Sequence, residues 1–222
     1  MSILARPTAR RSARATLLLG AALALALPAA IGAQARPAAA AAPAAPAAPG
    51  LVYTIDPNHS ELRFRIRHLV SRVSGTFTRW KGTITVADPA RWEDATIDVA
   101  IETASIDTNN ESRDSDLRSD SFFDAATHPT ITFRSTRIER SGDQARIHGD
   151  LTMRGVTKPV VLEGAFLGST RTANGRERVG IEATTTINRL DYGITWNRVV
   201  EGGGVTLGDE VRIEIAVGAD KR

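Results

Sequence analysis

Residues 61–68 read ELRFRIRH, a stretch in which apolar and basic side chains alternate without a break. Leu62, Phe64 and Ile66 share one parity, and the arginines between them share the other. Because successive side chains of a strand point to opposite faces, this period of two predicts a β-strand with one apolar and one hydrated face. His68 has the parity of the apolar side chains, so the strand is predicted to direct it inward as well.

The same alternation recurs from Leu51 to Val217, in stretches that turn-forming residues separate from one another. We count eight or nine predicted strands. An antiparallel sheet of this size with one hydrated face must stack or close, since open edges invite aggregation, and an up-and-down barrel removes them. The predicted fold is therefore all-β, an eight-stranded antiparallel lipocalin-like barrel.

The parity that faces inward is mostly aliphatic, which predicts an apolar lumen. A barrel of eight strands is just wide enough to be filled with side chains or to hold one ligand. Gly75, Gly149, Gly164 and Ala183 fall on or near this parity, and such small residues suggest unfilled space. The predicted ligand-binding residues of the lumen are Leu62, Phe64, Ile66, His68, Ile84, Val86, Val99, Ile101, Phe133, Leu151, Ile181 and Ile213.

Residues 113–123 break the period of two and are predicted to form a short helix near one barrel end, with Asn109 or Asn110 as N-cap. Two interpretations of this helix remain open. Its charged side chains are typical of a solvated face with local ion pairs. Alternatively the segment is a lid, and its apolar residues cover one barrel mouth. These lid residues are Leu117, Phe122 and Phe123.

The first 35 residues have the three parts of a secretory signal peptide. Four arginines and no acid precede an apolar run at residues 15–27, and Ala33-Gln34-Ala35 matches a signal-peptidase site. This run is shorter than the roughly 20 residues that a bilayer core requires, which favours cleavage over anchoring. Residues 36–50 are almost only Ala and Pro, which predicts a linker. We expect a periplasmic protein with a signal peptide (1–35), this linker and a barrel (51–222).

Charge and cysteine content exclude several classes of function. Four of the 28 basic residues lie in the signal peptide, which leaves 24 against 25 acidic residues in the remaining chain. Nothing in this balance indicates nucleic-acid binding, which requires a basic surface. The chain has no Cys, so disulfides, thiolate metal sites and Cys nucleophiles are excluded.

No motif indicates catalysis, a cofactor or a metal site. The chain has no G-x-S-x-G, phosphate-binding loop or H-E-x-x-H sequence. His59 and Ser60 are adjacent, and adjacent strand residues point apart, so they do not form a dyad. We therefore expect no catalytic residue, cofactor or metal. For His68 two interpretations remain, a core histidine with a hydrogen-bond partner or a polar anchor for a ligand head group.

An ordered series of short fragments resembles the YceI-like family of polyisoprenoid-binding, lipocalin-like periplasmic proteins. The resemblance implies an eight-stranded barrel with a helix near one end, a long-chain isoprenoid or similar lipid in the lumen, and often a homodimer. One departure is Asp116, where the family usually has His, which puts head-group preference in doubt. The fragments include residues 53–60 (YTIDPNHS), 73–77 (VSGTF), 104–108 (ASIDT), 113–114 (RD), 122–124 (FFD), 149–152 (GDLT), 154–160 (RGVTKPV), 187–189 (INR) and 208–211 (GDEV).

From the apolar lumen and this resemblance we expect non-catalytic binding of a long-chain polyisoprenoid or similar apolar lipid, for storage or transport in the periplasm. Few polar contacts are needed for such binding, because each buried CH₂ contributes about 0.8 kcal/mol. Two alternatives remain. The first is a secreted interaction module whose barrel is solid, and the second is a secreted enzyme built on the same barrel.

Overall fold

The computed structural model describes residues 50–88, 90–199 and 204–222. The predicted signal peptide and residues 36–49 of the predicted linker lie outside the described residues. The described residues form one antiparallel sheet of 11 strand segments. These segments are β1 (Leu51–Ile55), β2 (Glu61–His68), β3 (Ser71–Phe77), β4 (Trp80–Val86), β5 (Thr96–Glu102), β6 (Ile106–Asp107), β7 (Thr130–Ser141), β8 (Gln144–Met153), β9 (Val156–Arg171), β10 (Glu177–Asn188) and β11 (Leu207–Lys221).

Three pairs of consecutive segments each form one strand with a short break in it, so the 11 segments make eight strands. A 3-10 turn at Pro57–His59 separates β1 from β2, another at Thr103–Ser105 separates β5 from β6, and two residues separate β3 from β4. β11 pairs with β10 on one side and with β2 and then β1 on the other, which closes the ring. The prediction of an eight-stranded antiparallel barrel is confirmed.

One end of the barrel is sealed by packed side chains. Tyr53, Val86 and Val179 are fully buried there, at positions close to the ends of their strands. Trp92 covers them, with its ring centroid 5.4 Å from that of Tyr53 and 5.7 Å from that of Phe166. We call this cluster the closed end, and the opposite end of the barrel the mouth.

The helix α1 lies at the mouth and comprises Glu111–Arg118. Asn110 is its N-cap, and its side chain accepts a hydrogen bond from the backbone N–H of Arg113 at 3.0 Å. The predicted bounds, 113–123, were wrong at both ends. The chain reverses after Arg118 because the Phe123 N–H bonds back to the Leu117 carbonyl at 3.0 Å and Asp124 is left-handed. No helix in the described ranges is long and apolar enough to cross a membrane.

An ion cluster fastens the barrel seam at the closed end. Arg178 of β10 donates to both carboxylate oxygens of Asp220 of β11, at 2.6 and 2.9 Å, and to Asp56 after β1 at 2.7 Å. Hydrogen bonding from Arg178 holds the pKa of Asp220 below its ordinary value of 3.8. Asp56 also has a lowered pKa. The main cause is the hydrogen bond that it accepts from the Asn58 backbone N–H, and the hydrogen bond with His59 is the second.

The seam should therefore weaken in acid. A carboxyl whose pKa is lowered by folding stabilises the protein above its ordinary pKa, and this contribution is lost as pH falls through the folded pKa. Asp220→Asn should cost about 1–2 kcal/mol of unfolding free energy at pH 7, since the pair is partly exposed, and this cost should shrink as pH falls below 3.8 and through the lowered folded pKa. Urea unfolding at several pH values measures this difference. Asp98→Asn, at an exposed pair, is the control, and an equal or pH-independent loss in the two variants would contradict the prediction.

Candidate functional site

A large cavity runs along the barrel axis from the closed end to the mouth. Its volume is about 570 Å³, within the range of roughly 300–1,000 Å³ that is usual for small-ligand pockets. Ile55 and Ile84 lie at its deep end, whereas half-exposed Trp196 and exposed Asp116 mark the mouth. The wall between them is almost wholly aliphatic and aromatic.

The predicted lumen residues line this cavity, with one exception. Val86 is fully buried but belongs to the closed end, because it is the last residue of β4 and lies below the cavity floor. The prediction that it lines the lumen was wrong. The residues that do line the cavity are Leu62, Phe64, Ile66, His68, Ile84, Val99, Ile101, Phe133, Leu151, Ile181 and Ile213. Their contact with a ligand stays a prediction.

The small residues of the wall do not create the cavity in the way expected. A Cβ on Gly75 would lie 2.5 Å from the Phe64 ring, and one on Gly149 would lie 2.4 Å from the Phe133 ring. Each glycine is therefore covered by an aromatic ring. Of the four small residues singled out, only Ala183 lines the cavity. The glycines let the rings lie close against the wall, which keeps their bulk away from the barrel axis.

The three predicted lid residues also line the cavity at its mouth. The Phe123 ring packs edge-on against Phe77 with a centroid distance of 6.0 Å, and the Phe122 ring lies 5.1 Å from Trp196. Arg154, in the β8–β9 turn, donates to the carbonyls of Asp120 and Phe122 and so ties this segment to the wall. The segment after α1 thus forms a roof over the mouth, and its role as a lid for a ligand stays a prediction.

The charged residues of α1 include a buried anchor. Asp114 is buried and accepts hydrogen bonds from the Thr108 backbone N–H at 2.9 Å and from its hydroxyl at 2.5 Å. Arg113 donates to the Thr108 hydroxyl and carbonyl, at 2.7 and 2.8 Å. Arg118 donates to the carbonyls of Ala104 and Ile106. The interpretation as a solvated face was wrong for Asp114, which is buried, whereas half-buried Arg118 also forms a local ion pair with Glu111 at 3.2 Å. Together these bonds fix α1 to residues 104–108.

Polar side chains reach the cavity mainly at the mouth. They include His68, Arg113 and Asp116. Within the described ranges the His68 imidazole makes no hydrogen bond, so the interpretation of a hydrogen-bonded core histidine receives no support. Asp116, the departure from the usual family residue, lines the same region. These groups can contact the polar end of a ligand whose apolar part lies deeper.

Arg189 is a cavity-lining residue that the sequence reasoning missed. It is only 3% exposed and lines the cavity. Its guanidinium donates to the carbonyls of Gly208 at 2.8 Å, Ile194 at 2.6 Å and Trp196 at 2.9 Å, and to Asp209 at 3.3 Å. Burial lowers the pKa of Arg189, and the charge and hydrogen bond of Asp209 offset part of this shift. Strand parity could have found it, because Arg189 continues the inward series of Ala183, Thr185 and Ile187.

Groups that could act as acids, bases or metal ligands are dispersed. His59 bonds with Asp56 near the closed end, His148 lies beside Arg137 and Glu139, and His68 faces the cavity. In the part of the chain that the structure describes, no three His, Asp or Glu side chains lie together as a metal site would require. What the cavity offers chemically is a long apolar surface with a few polar groups at one end.

Comparisons with known proteins agree with this architecture. A model of the YceI-like domain matches residues 53–219. Protein YceI of Escherichia coli O157:H7 is 41% identical over 145 residues, which are 64% of this chain and 75% of that protein. The crystal structure of the Campylobacter jejuni YCEI protein has 30% identity and a TM-score of 0.61, covering 70% of this chain and 90% of that one.

A third comparison concerns the fold alone. A polyisoprenoid-binding domain from Saccharophagus degradans, implicated in plant cell wall breakdown, is 17% identical with a TM-score of 0.56. The match covers 78% of this chain and 99% of that domain. At this identity the likeness shows that both chains form the same type of barrel.

Proposed function

This chain belongs to the YceI-like family, and from that premise we propose that its barrel binds one long apolar lipid, a polyisoprenoid or a similar chain, without performing chemistry on it. The observation that carries the proposal is the apolar cavity of about 570 Å³, whose polar groups lie mainly at the mouth. The polyisoprenoid-binding domain from Saccharophagus degradans, with the same type of barrel, supports this ligand class.

The energetics of an apolar lumen are sufficient for this role. Burying ten methylene-sized groups contributes about 8 kcal/mol. Ordering of the chain and loss of its translational freedom oppose this gain, and longer chains offset that cost by burying more surface. Affinity then depends on chain length and on the shape of the wall, and His68 and its neighbours orient the polar end.

The two alternative functions receive less support. A solid-barrel interaction module has no use for an open apolar cavity of this size. An enzyme would require a clustered nucleophile, acid or base at the ligand, whereas two of the charged groups that reach the cavity, Arg113 and Arg189, are engaged in holding α1 and the strand ends. Non-catalytic binding accounts for both features. The homodimer that the resemblance implies stays a prediction, which light scattering can measure.

The ligand proposal is tested by filling the cavity. Ala183 is buried with its side chain in the lumen, so Ala183→Phe should occupy space that the lipid needs. We expect the barrel to keep its stability to within about 1–3 kcal/mol and the bound lipid to be lost or reduced by at least about tenfold, which corresponds to 1.4 kcal/mol. Native mass spectrometry of protein purified from its own host, followed by lipid extraction, measures occupancy.

Thr184→Phe is the matched control, because Thr184 lies on the same strand with its side chain on the outer face between Glu163 and Glu214. It should retain the lipid of the unmodified protein. If protein from the host carries no lipid, or if the two phenylalanine variants retain the same amount, the lumen is not the binding site.

We also propose that the chain acts in the periplasm after cleavage behind Ala35. The basic start, short apolar run and Ala-Gln-Ala site support export. N-terminal sequencing of the exported protein should therefore begin at Arg36. A membrane-bound chain that begins at Met1 would contradict this expectation, and the cytoplasmic fraction serves as the control for uncleaved precursor.

A further inference from the structure

Large apolar side chains are exposed together at the mouth of the barrel. Val70, at the tip of the β2–β3 hairpin, is fully exposed, and Val199 is 77% exposed. Leu69, Trp196 and Val205 are each exposed by more than a third. We call these five residues the apolar rim. Exposed apolar residues are ordinary when scattered, but a group of them at one place marks an interaction surface.

Hydrogen bonds join the rim residues into one surface. The backbone N–H of Leu69 donates to the Thr206 carbonyl at 2.8 Å, which fastens the β2–β3 tip to the segment before β11. Thr206 in turn donates from its backbone to the Arg198 carbonyl at 2.9 Å, and Val199 forms a β-bridge with Val205. The rim is therefore held in place by the same strands that form the barrel wall.

The rim is continuous with the cavity. His68, which directly precedes the exposed tip, lines the cavity, as do Trp196 and Leu207. The Trp196 ring also packs on Phe122 of the roof. A molecule leaving the cavity at the mouth would thus pass directly beside the exposed valines.

Positive charge surrounds the rim. Arg67, Arg72 and Arg198 are exposed and flank the two apolar tips in sequence and structure. In the described part of the chain none of the three forms an ion pair. Asp209, the nearest acid along β11, is engaged by Arg189. Exposed arginines around apolar tips match a surface that is negatively charged outside and apolar inside, which is the chemistry of an anionic bilayer.

We propose that the apolar rim inserts into the surface of a bilayer that contains anionic lipid, and that the ligand of the lumen passes there between bilayer and barrel. This inference rests on the proposed lipid-binding function. A long apolar chain that crossed water would expose all of its surface, so a mouth lying in the bilayer surface removes that barrier. A protein partner is less well matched, because stable protein interfaces need a broad packed area and the rim is a narrow surface of five side chains.

Vesicle flotation tests this inference with the purified mature chain and two vesicle compositions, phosphatidylcholine alone and phosphatidylcholine with about a third phosphatidylglycerol. The protein should bind the anionic vesicles better, and binding should fall in high salt because salt screens the arginines. Val70→Glu removes an inserted side chain and adds a repelled charge, so it should weaken binding by about tenfold or more. Since Val70 is fully exposed, the fold should be unaffected, and circular dichroism verifies this.

Leu167→Glu is the matched control. Leu167 is 61% exposed on the outer wall, on the part of β9 that pairs with residues 179–180 near the closed end. This variant should bind vesicles like the unmodified protein. Equal loss in both variants, or full binding by Val70→Glu, would overturn the membrane proposal. If Val70→Glu instead changes the mass in solution measured by light scattering, and vesicles are not bound, the rim is an interface between copies of the chain.

Native mass spectrometry on the same samples separates this inference from the function on which it rests. A lipid-filled barrel that ignores vesicles overturns the membrane proposal and leaves lipid binding intact. An empty lumen in protein from the host, with Ala183→Phe behaving like its control, overturns lipid binding itself. Under the proposal Val70→Glu should still hold lipid, and its transfer to or from anionic vesicles should slow about tenfold.

Discussion

Ile101→Arg is expected to abolish lipid binding. Ile101 is buried on β5, faces the cavity, and lies between Trp80 and Ile131 of the neighbouring strands. Among the described residues that line the cavity, the acid is Asp116 at the mouth. A guanidinium on β5 is therefore surrounded by apolar side chains, and an unpaired charge in an apolar interior is strongly unfavourable. The side chain must therefore either draw water into the lumen or displace the lipid. Affinity for a polyprenyl lipid should fall by more than about 1,000-fold, roughly 4 kcal/mol.

Two further variants define this result. Ala100→Arg places the same side chain one residue away on the outer face, between Lys81 and Thr132, and should leave binding unchanged. His68→Ala removes a polar group at the mouth and should weaken binding by only about 1–3 kcal/mol. All variants are first verified as folded by circular dichroism. If His68→Ala abolished binding and folded Ile101→Arg bound normally, the site would be polar and specific, and the enzyme alternative would regain support.

Strand parity accounts for most of what the sequence predicted correctly. In β2 the alternation of Leu62, Phe64 and Ile66 with arginines determines which face is buried, because a shift of one residue would expose every apolar side chain. The same reasoning identifies the inward face of β5, β7 and β10. A barrel follows because eight such strands cannot leave edges open, and the family resemblance agrees with it.

Parity does not fix the height of a residue along the barrel axis. Val86 and Phe166 both belong to strands that border the lumen, but both pack in the closed end. Their height depends on the stagger between neighbouring strands, which arises from pairings distant in sequence. A register shift at Gly180/Ile181, where β9 bulges, is another feature without a local signature, and it accompanies the exposed Leu167.

Packing against neighbouring strands could not be predicted from the sequence either. The rings that cover Gly75 and Gly149 come from adjacent strands, so the space beside a glycine cannot be judged from its own strand. The end of α1 is set by backbone bonds from residues 122–125 to residues 117–119, which a helical pattern does not encode. For a buried charge, parity can indicate that the side chain points inward but not which groups bind it, and an inward arginine is tolerable only if partners from elsewhere surround it.

Arg189 is such a residue, and its removal should give the largest loss of stability. Arg189→Met keeps much of the volume but leaves the carbonyls of Gly208, Ile194 and Trp196 without their donor. Each unsatisfied buried acceptor costs about 1–3 kcal/mol, and partial access to water reduces the sum. We expect the unfolding free energy, measured in urea, to fall by about 3–5 kcal/mol. Arg189→Lys should recover little of this loss, because one ammonium cannot reproduce the planar fork of donors.

The comparison variant for Arg189 is Arg134→Met. Arg134 is 72% exposed, and its ion pair with Asp98 is long, at 3.5 Å between nitrogen and oxygen. It should cost less than about 1 kcal/mol. Equal losses at the two sites would mean that Arg189 is not an anchor of the mouth. The anchor also bears on function, since the segment that Arg189 holds presents Ile194 and Trp196 to the cavity and Trp196 to the roof. If the Arg189→Met variant remains folded at low temperature, it should release lipid faster than the Arg134→Met variant. The reason is that the segment with Ile194 and Trp196 is no longer held at the mouth.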